Sequence, residues 1–486
     1  MTGLCDRVQK AVRRAVATGV LALMTACAVP AVRAEPPQPN IIYILADDLG
    51  WKDVGFNGSD IRTPNIDRLA QEGARLTQFY AQPMCTPTRA SLMTGRYPFR
   101  YGLQTLVILS AGDYGLPTDE WLLPQALKEA GYSTAIIGKW HLGHADMKFW
   151  PRQRGFDHAY GPLIGELDYF THQQHGVVDW FRDNKRVEEE GYTTTLLGDD
   201  AVKYIEGQKA DKPFFMYLAF NAPHTPYQAP QDYLDKYADI ADPSRRAYAA
   251  SITAMDDQIG RVVAALEKTG RRDKTLIIFS SDNGGTSNAM FAGEMDMSNV
   301  TIPCDNGPYR DGKGSLYEGG TRVCALANWP GAIKPGDVDG MIHIVDMYTT
   351  LVGLAGAPME KCKAPLDGID VWATVSEGKP SPRTEVVYNI EPFRGAVRDG
   401  DWKLIWRTPL PSAVELFNIS DDPSEQNNVA AEHPDTVARL QARIEQLAKD
   451  SAKPMTLLYL FKGVQEGTHR PPVMPDDVEF YQGDLP

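Results

Sequence analysis

The sequence predicts an α/β sandwich with a large, mostly parallel central sheet, followed by a small antiparallel sheet carrying one helix. Three observations lead there. Short apolar runs recur at residues 41–46, 134–137, 214–220 and 276–279, as strands buried on both faces require. Longer segments with apolar residues at helical spacing lie between them. Residues 122–130 stop at Gly131, and residues 248–269 place Ile252, Met255, Ile259, Val262, Val263 and Leu266 on one face before Gly270. After a Pro/Ser-containing stretch at 378–383 the texture changes. Residues 385–389, 394–398, 402–407 and 414–417 read as short strands with tight turns such as Asp399-Gly400-Asp401, and 433–449 as a helix. Strands alternating with helices give a parallel sheet, and consecutive short strands an antiparallel one.

The ends of the chain follow different rules. Residues 1–34 read as an export signal: Arg7, Lys10, Arg13 and Arg14 form a basic start, an apolar stretch covers 15–29, and Val32-Arg33-Ala34 offers a small-residue cleavage site. The apolar stretch is too short to span a bilayer comfortably. Leu23-Met24-Thr25-Ala26-Cys27 offers an alternative, lipidation at Cys27. The expected organisation is a signal at 1–34, a catalytic α/β domain at 35–383, a small α+β subdomain at 384–462 and a tail at 463–486, with the product exported to a periplasm or secreted. Removing the first 34 residues takes the formal net charge from −14 to −18. So acidic a chain excludes nucleic acid and anionic lipid as general partners, and any anionic substrate must meet a local cluster of positive charge.

Each of the four predicted strands runs directly into polar residues. The first is followed by Asp47-Asp48, the second by Gly138-Lys139-Trp140-His141, the third by Asn221-Ala222-Pro223-His224 and the fourth by Asp282-Asn283. Ligands of open α/β sheets bind beyond the carboxyl ends of the strands. Singly these residues are unremarkable: Asp47-Asp48 could cap a helix, a lone histidine is usually structural and a lone lysine solvated. Together they bring acids, an amide, a lysine and histidines to one edge. Asp47, Asp48, Asp282 and Asn283 offer only oxygen ligands, which suits calcium or magnesium and not zinc.

Cys85 stands apart. Export removes Cys5 and Cys27 and leaves Cys85, Cys304, Cys324 and Cys362, and an even count in an oxidising compartment is usually paired. Yet Thr86-Pro87 reads as a helix entry, with Thr86 as N-cap, Pro87 in the first turn, the helix reaching about Thr94 and Gly95 as its stop. Cys85 would then sit at a helix N-terminus that favours negative charge, with Arg89 one turn along.

Cys85-Thr86-Pro87-Thr88-Arg89 followed by Gly95-Arg96 resembles the C-x-P-x-R signature of the type I sulfatases, with Thr88 where serine is often found. Ala46-Asp47-Asp48-Leu49-Gly50, the 138–143 segment, Asp282-Asn283-Gly284-Gly285 and the 313–320 segment extend the likeness over roughly residues 40–430. Residues 82–89, Gly155-Phe156-Asp157 and the 365–372 segment are most similar to the arylsulfatase B (N-acetylgalactosamine-4-sulfatase) branch. The resemblance implies an alkaline-phosphatase-like fold and hydrolysis of a sulfate ester on an aryl alcohol or a sugar. It implies that a modifying enzyme converts Cys85 to formylglycine, and that one Ca2+ is held by Asp47, Asp48, Asp282, Asn283 and modified Cys85. It further implies that Arg89 and Lys139 hold the formylglycine diol, that His141 is the base for the second step, and that His224 and Lys313 grip the sulfate, with His224 protonating the leaving oxygen. Phosphonate monoester or phosphodiester hydrolysis, and calcium-dependent binding of sulfated glycans without turnover, are the alternatives. Residues 286–311, with Met290, Phe291, Met295 and Met297, form a long loop of the kind that serves as a lid or specificity element. Asn57, Asn299 and Asn418 fall in glycosylation sequons.

Overall fold

A computed structural model describes residues 38–288, 302–362, 364–408, 412–466 and 480–481. The signal at 1–34 with Cys27, the four apolar residues of the long loop, the sequon at Asn299 and most of the tail lie outside the described residues. Residues 39–486 form one compact unit.

The predicted apolar runs are strands β1 (Asn40–Ala46), β2 (Ser133–Gly138), β3 (Phe214–Ala219) and β4 (Thr275–Ser281), nearly every residue of which is buried. They pair in parallel in the order β4-β1-β3-β2, at the centre of an 11-stranded sheet. Period-two alternation divides each strand between two cores. Ile41, Tyr43 and Leu45 of β1 enter one, and Ile42, Ile44 and Ala46 the other. Register aligns the strand ends: Ala46 stands opposite Ser281, and Ala219 opposite Gly138. Asp47 and Asp282 therefore leave the sheet side by side, as do Lys139 and Phe220.

The Cys85–Thr94 helix (α1) is buried along its whole length and closed by Gly95 at φ 68°. Its start differs from expectation. Cys85 is the first helical residue and Met84 the N-cap, with no capping side chain. Thr86 lies inside the first turn, where its hydroxyl donates to the His141 carbonyl at 3.0 Å and accepts the Ile108 N–H at 3.1 Å. A long-range partner on each side outcompetes the local cap. Helix α2 (Leu123–Glu129) matches the first expected amphipathic segment. Helix α3 (Pro243–Lys268) starts five residues before the expected point, because the Asp242 carboxylate accepts the Arg245 N–H at 2.7 Å and Pro243 fills the first position.

The small sheet is antiparallel, in the order β5 (Glu385–Ile390), β6 (Arg394–Asp399), β7 (Trp402–Arg407) and β8 (Ala413–Asn418). Helix α4 (Pro434–Lys449) lays Leu440, Ile444 and Leu447 on Val387, Val397, Leu404 and Leu416. A further, unexpected helix, Met455–Glu466, crosses the expected boundary at 462/463 between the small subdomain and the tail. The 378–383 stretch is tied down: Gly378 ends a helix at φ 70°, and buried Arg383 donates through Nε to Asp346 at 2.7 Å. None of Cys85, Cys304, Cys324 and Cys362 is in a disulfide. No helix among the described residues is long and apolar enough to cross a membrane.

Candidate active site

The strand ends and the N-terminus of α1 converge on one pocket. Cys85 is buried, with Sγ 3.3 Å from Asp47 Oδ1 and 4.0 Å from Asp48 Oδ1. Asp48 holds a left-handed backbone at φ 62°, which turns its carboxylate towards the group Asp47 has already joined. The Asp48 N–H donates to Asp282 Oδ1 at 3.2 Å, and the Asn283 amide donates to Asp48 Oδ1 at 2.8 Å.

Three cations balance these acids. Arg89 donates from Nε and Nη2 to Asp282 Oδ2 at 3.2 and 2.8 Å, and from Nη1 to the Lys139 carbonyl at 3.0 Å. Lys139 reaches Asp47 Oδ2 at 2.6 Å and Lys313 reaches Asp48 Oδ2 at 2.7 Å. Burial alone would push the Asp47 carboxyl up, but Lys139, His224 and Arg89 together hold it well below the usual carboxylate range. Burial, reinforced by the Asp282 and Asp47 charges, pushes the Cys85 thiol well up. An unmodified Cys85 is therefore a protonated thiol and a weak nucleophile.

The histidines differ in their surroundings. Burial, then Lys139 and Arg89, depress His141 well below its ordinary range, so the ring is neutral at neutral pH. Its Nε2 lies 3.1 Å from the Ile108 carbonyl, an acceptor, which assigns the proton to Nε2. Nδ1 is then the basic nitrogen, and it is buried with no hydrogen-bond partner among the described residues. His224 Nδ1 faces the Thr225 carbonyl at 2.7 Å, and its Nε2 lies 3.1 Å from Lys313 Nζ and 3.4 Å from Asp48 Oδ2. His224 and Lys313 form one unit.

All ten residues singled out in the sequence meet here. Ligand atoms of Asp47, Asp48, Cys85 and His224 all lie within 4.8 Å of one another. The Asn283 side-chain oxygen is buried and has no hydrogen-bond partner among the described residues. Clustered carboxylates with an orphaned amide oxygen form a donor set that fits a hard divalent cation.

The chain is similar to known proteins over most of its length. Residues 39–357 match the sequence profile of the sulfatase family, and residues 309–450 match that of the N-sulphoglucosamine sulphohydrolase C-terminal region. The chain belongs to the sulfatase family. Mouse arylsulfatase J is 35% identical over 468 residues, covering 85% of this chain and 76% of that protein. Human N-acetylgalactosamine-6-sulfatase is 35% identical over 375 residues, covering 73% and 69%. Among solved structures, Ps i-CgsB in complex with k-i-k-neocarrahexaose superposes with a TM-score of 0.77 at 34% identity, covering 86% of this chain and 94% of that one. A phosphonate monoester hydrolase from Agrobacterium radiobacter, with a TM-score of 0.59 at 19% identity, shares the fold.

This sulfatase hydrolyses a sulfate ester, and its pocket carries more than the sequence disclosed. A cavity of about 350 Å³ is lined by Cys85, Lys139, His141, His224 and Lys313, and also by Glu166, Gln174 and His175. Asn221, at the end of β3, donates to the Gly165 carbonyl at 2.6 Å, and Tyr217 supports Arg89 from behind at 3.4 Å. Asn221 was flagged by its strand end. Glu166, Gln174 and His175 carried no sequence signal, because they sit in a loop and a hairpin too short for any periodicity.

Proposed function

We propose that the sulfatase acts on sulfated sugars or aryl sulfates through a formylglycine made from Cys85, with Ca2+ as its metal. One observation carries the reading: Cys85 opens a fully buried helix and points its sulfur into a nest of carboxylates, lysines and an arginine. Asp47, Asp48, Asp282 and Asn283 would hold the calcium together with modified residue 85. Bound, the calcium supplies positive charge against the sulfate oxygens, and the formylglycine supplies a geminal diol whose hydroxyls serve as nucleophile and releasing group.

The chain's own residues do the rest. Arg89, fixed by Asp282 and by the Lys139 carbonyl, and Lys139, fixed by Asp47, keep positive charge beside residue 85. They orient its hydroxyls and offset the charge that grows on the sulfate oxygens. His141 presents an unprotonated Nδ1 and accepts the proton that releases sulfate. His224 delivers the proton to the leaving oxygen, and Lys313, with Nζ 3.1 Å from the His224 ring, grips the sulfate. The likeness to arylsulfatase J and N-acetylgalactosamine-6-sulfatase, and to a structure solved with a neocarrahexaose, supports a sulfated sugar or aryl ester as substrate.

Several outer features belong to the same proposal. Residues 1–34 direct export to a periplasm or the exterior, lipidation at Cys27 being the variant of that route, and the chain meets a formylglycine-generating enzyme. The 35–383 part carries the chemistry, and the 384–462 part closes it. Mass spectrometry of the tryptic peptide carrying residue 85 tests the core of this reading, alongside release of 4-nitrophenol from its sulfate, phosphate and phosphonate esters. We expect an aldehyde and a strong preference for the sulfate ester. An unmodified thiol in active protein, or preference for phosphorus, would overturn it.

A further inference from the structure

His141 holds a left-handed backbone at φ 57°, a conformation that a residue with a Cβ keeps only where its surroundings impose it. Its N–H is held from one side, donating to the Leu163 carbonyl at 2.9 Å. That stretch of loop is itself braced, because the Asp179 carboxylate accepts the N–H groups of Leu163, Ile164 and Gly165 at 2.9, 2.9 and 3.1 Å. The His141 carbonyl is held from the other side by α1, where the Thr86 hydroxyl donates to it at 3.0 Å.

The same hydroxyl has a second task. It accepts the Ile108 N–H at 3.1 Å, and the Ile108 carbonyl in turn faces His141 Nε2 at 3.1 Å. Three residues therefore close a ring: Thr86 to the His141 main chain, the His141 side chain to the Ile108 carbonyl, and the Ile108 N–H back to Thr86. All three are buried, Thr86 completely. Ile108 depends on such anchors, because residues 101–122 contain no helix or strand. A second anchor lies two residues on, where His144 Nε2 faces the Ser110 carbonyl at 3.0 Å.

The ring decides more than position. The proton of a neutral imidazole stays on the nitrogen that faces an acceptor. Here the Ile108 carbonyl keeps it on Nε2 and leaves Nδ1 free to accept another. With that carbonyl displaced, the proton is shared between the two nitrogens, and a ring protonated on Nδ1 cannot act as a base there. Thr86 carries no charge and does not line the catalytic cavity, whereas Ile108 and His141 both do. Any influence it has on the chemistry must pass through its neighbours.

We propose that Thr86 is a positioning residue for the catalytic base: its hydroxyl closes a hydrogen-bonded ring that sets both the tautomer and the aim of His141. This rests on the reading above that His141 accepts the proton that releases sulfate, and it adds a residue that acts on the base without touching substrate.

The first test needs no turnover and no conversion of Cys85. Ring 15N resonances of His141 are read by NMR in the full chain labelled at histidine, and assigned by their loss in His141→Ala. We expect a single Nε2–H tautomer in the wild type and in Thr86→Ser, and a mixture of tautomers in the isosteric Thr86→Val. Thr86→Ala is read in parallel, and each variant is checked for a cooperative thermal transition. An unchanged single tautomer in folded Thr86→Val or Thr86→Ala would overturn the proposal.

The second test follows 4-nitrophenyl sulfate hydrolysis, with rates expressed per aldehyde counted by mass spectrometry. The alcohol has already left when His141 acts, so a crippled base slows a late step. In Thr86→Val, kcat and KM should fall together by about tenfold or more, with kcat/KM little changed and a burst of 4-nitrophenol close to one per aldehyde. Thr86→Ser should return kcat to within about threefold of the wild type. A fall in kcat/KM without a burst would mean that valine displaces residue 85 instead, and would overturn the role. His141→Ala separates this failure from that of the underlying reading. If it shows the burst and Thr86→Val does not, only the positioning role falls. If it turns over like the wild type, His141 is not the base and both fall.

Discussion

At the scale of single residues, the site depends on how each charge is held. Arg89 makes four hydrogen bonds, two to the Asp282 carboxylate, one to the Lys139 carbonyl and a longer one to the Tyr217 hydroxyl, with no exposure to solvent. A lysine carries the same charge but cannot supply three donors in one plane. Arg89→Lys should therefore cost about 3–5 kcal/mol of stability, read from urea unfolding, because it leaves buried Asp282 incompletely paired. It should also lower kcat/KM by at least two orders of magnitude. His141 gives a prediction in pH. Burial and neighbouring cations depress its pKa, so its base form persists below the usual histidine range and is lost only as pH falls through that lowered value. The acid limb of the kcat–pH profile should lie below about 6.5. His141→Ala should reduce kcat by about 10²–10⁴-fold. An acid limb at the ordinary histidine value would count against His141 as the base.

At the scale of elements, register does the assembling. Ala46 opposite Ser281 sets Asp47 beside Asp282, and α1 brings Cys85 to both. With Asp48 close by, the strands end in clustered carboxylates that a divalent cation would tie together. Chelation with EGTA should lower the thermal unfolding midpoint and abolish activity, and added Ca2+ should restore both. A ligand at about 100 times its dissociation constant contributes about 2.7 kcal/mol. An unchanged midpoint would argue against a structural role for the metal at these strand ends. Most of this edge was legible in the sequence, because long apolar runs declare buried strands and the residue after each run inherits its position. The start of α1 was only half legible. Pro87 and Gly95 marked the helix, but Thr86 looked like a cap and in fact bridges to His141 and Ile108, partners 55 and 22 residues away. The Gln174-His175 turn was not legible at all: two-residue strands carry no pattern, and Asp179, which follows them, resembles any surface acid until its three N–H partners are seen.

At the scale of the whole molecule, the small sheet is wired into the catalytic loop through charge. Lys403 on β7 is completely buried and lies 2.9 Å from Glu318 and 2.8 Å from Glu425. Glu318 belongs to the segment that begins with Lys313, and it also accepts from the Tyr80 and Tyr388 hydroxyls at 2.8 and 2.6 Å. Glu425, from the turn after β8, accepts the Glu318 N–H at 2.6 Å. Burial pushes the Glu318 carboxyl up, but Lys403, Arg322 and Arg398 outweigh it and hold the group below its ordinary range. A carboxyl depressed on folding contributes stability that is present above its unfolded pKa and lost as pH falls through the folded value. Lys403→Met removes the largest of these attractions and leaves Glu318 without its buried lysine, while Glu425, which burial has already pushed up to about 7, takes up a proton. At about pH 7 the variant should lose about 3–5 kcal/mol in urea unfolding. At about pH 4 the penalty should shrink, because protonating a glutamate removes the uncompensated charge. Since Lys313 hangs from the same segment, kcat/KM should fall with stability at neutral pH. A pH-independent penalty would mean that lost packing, and not charge, is what Lys403 supplies.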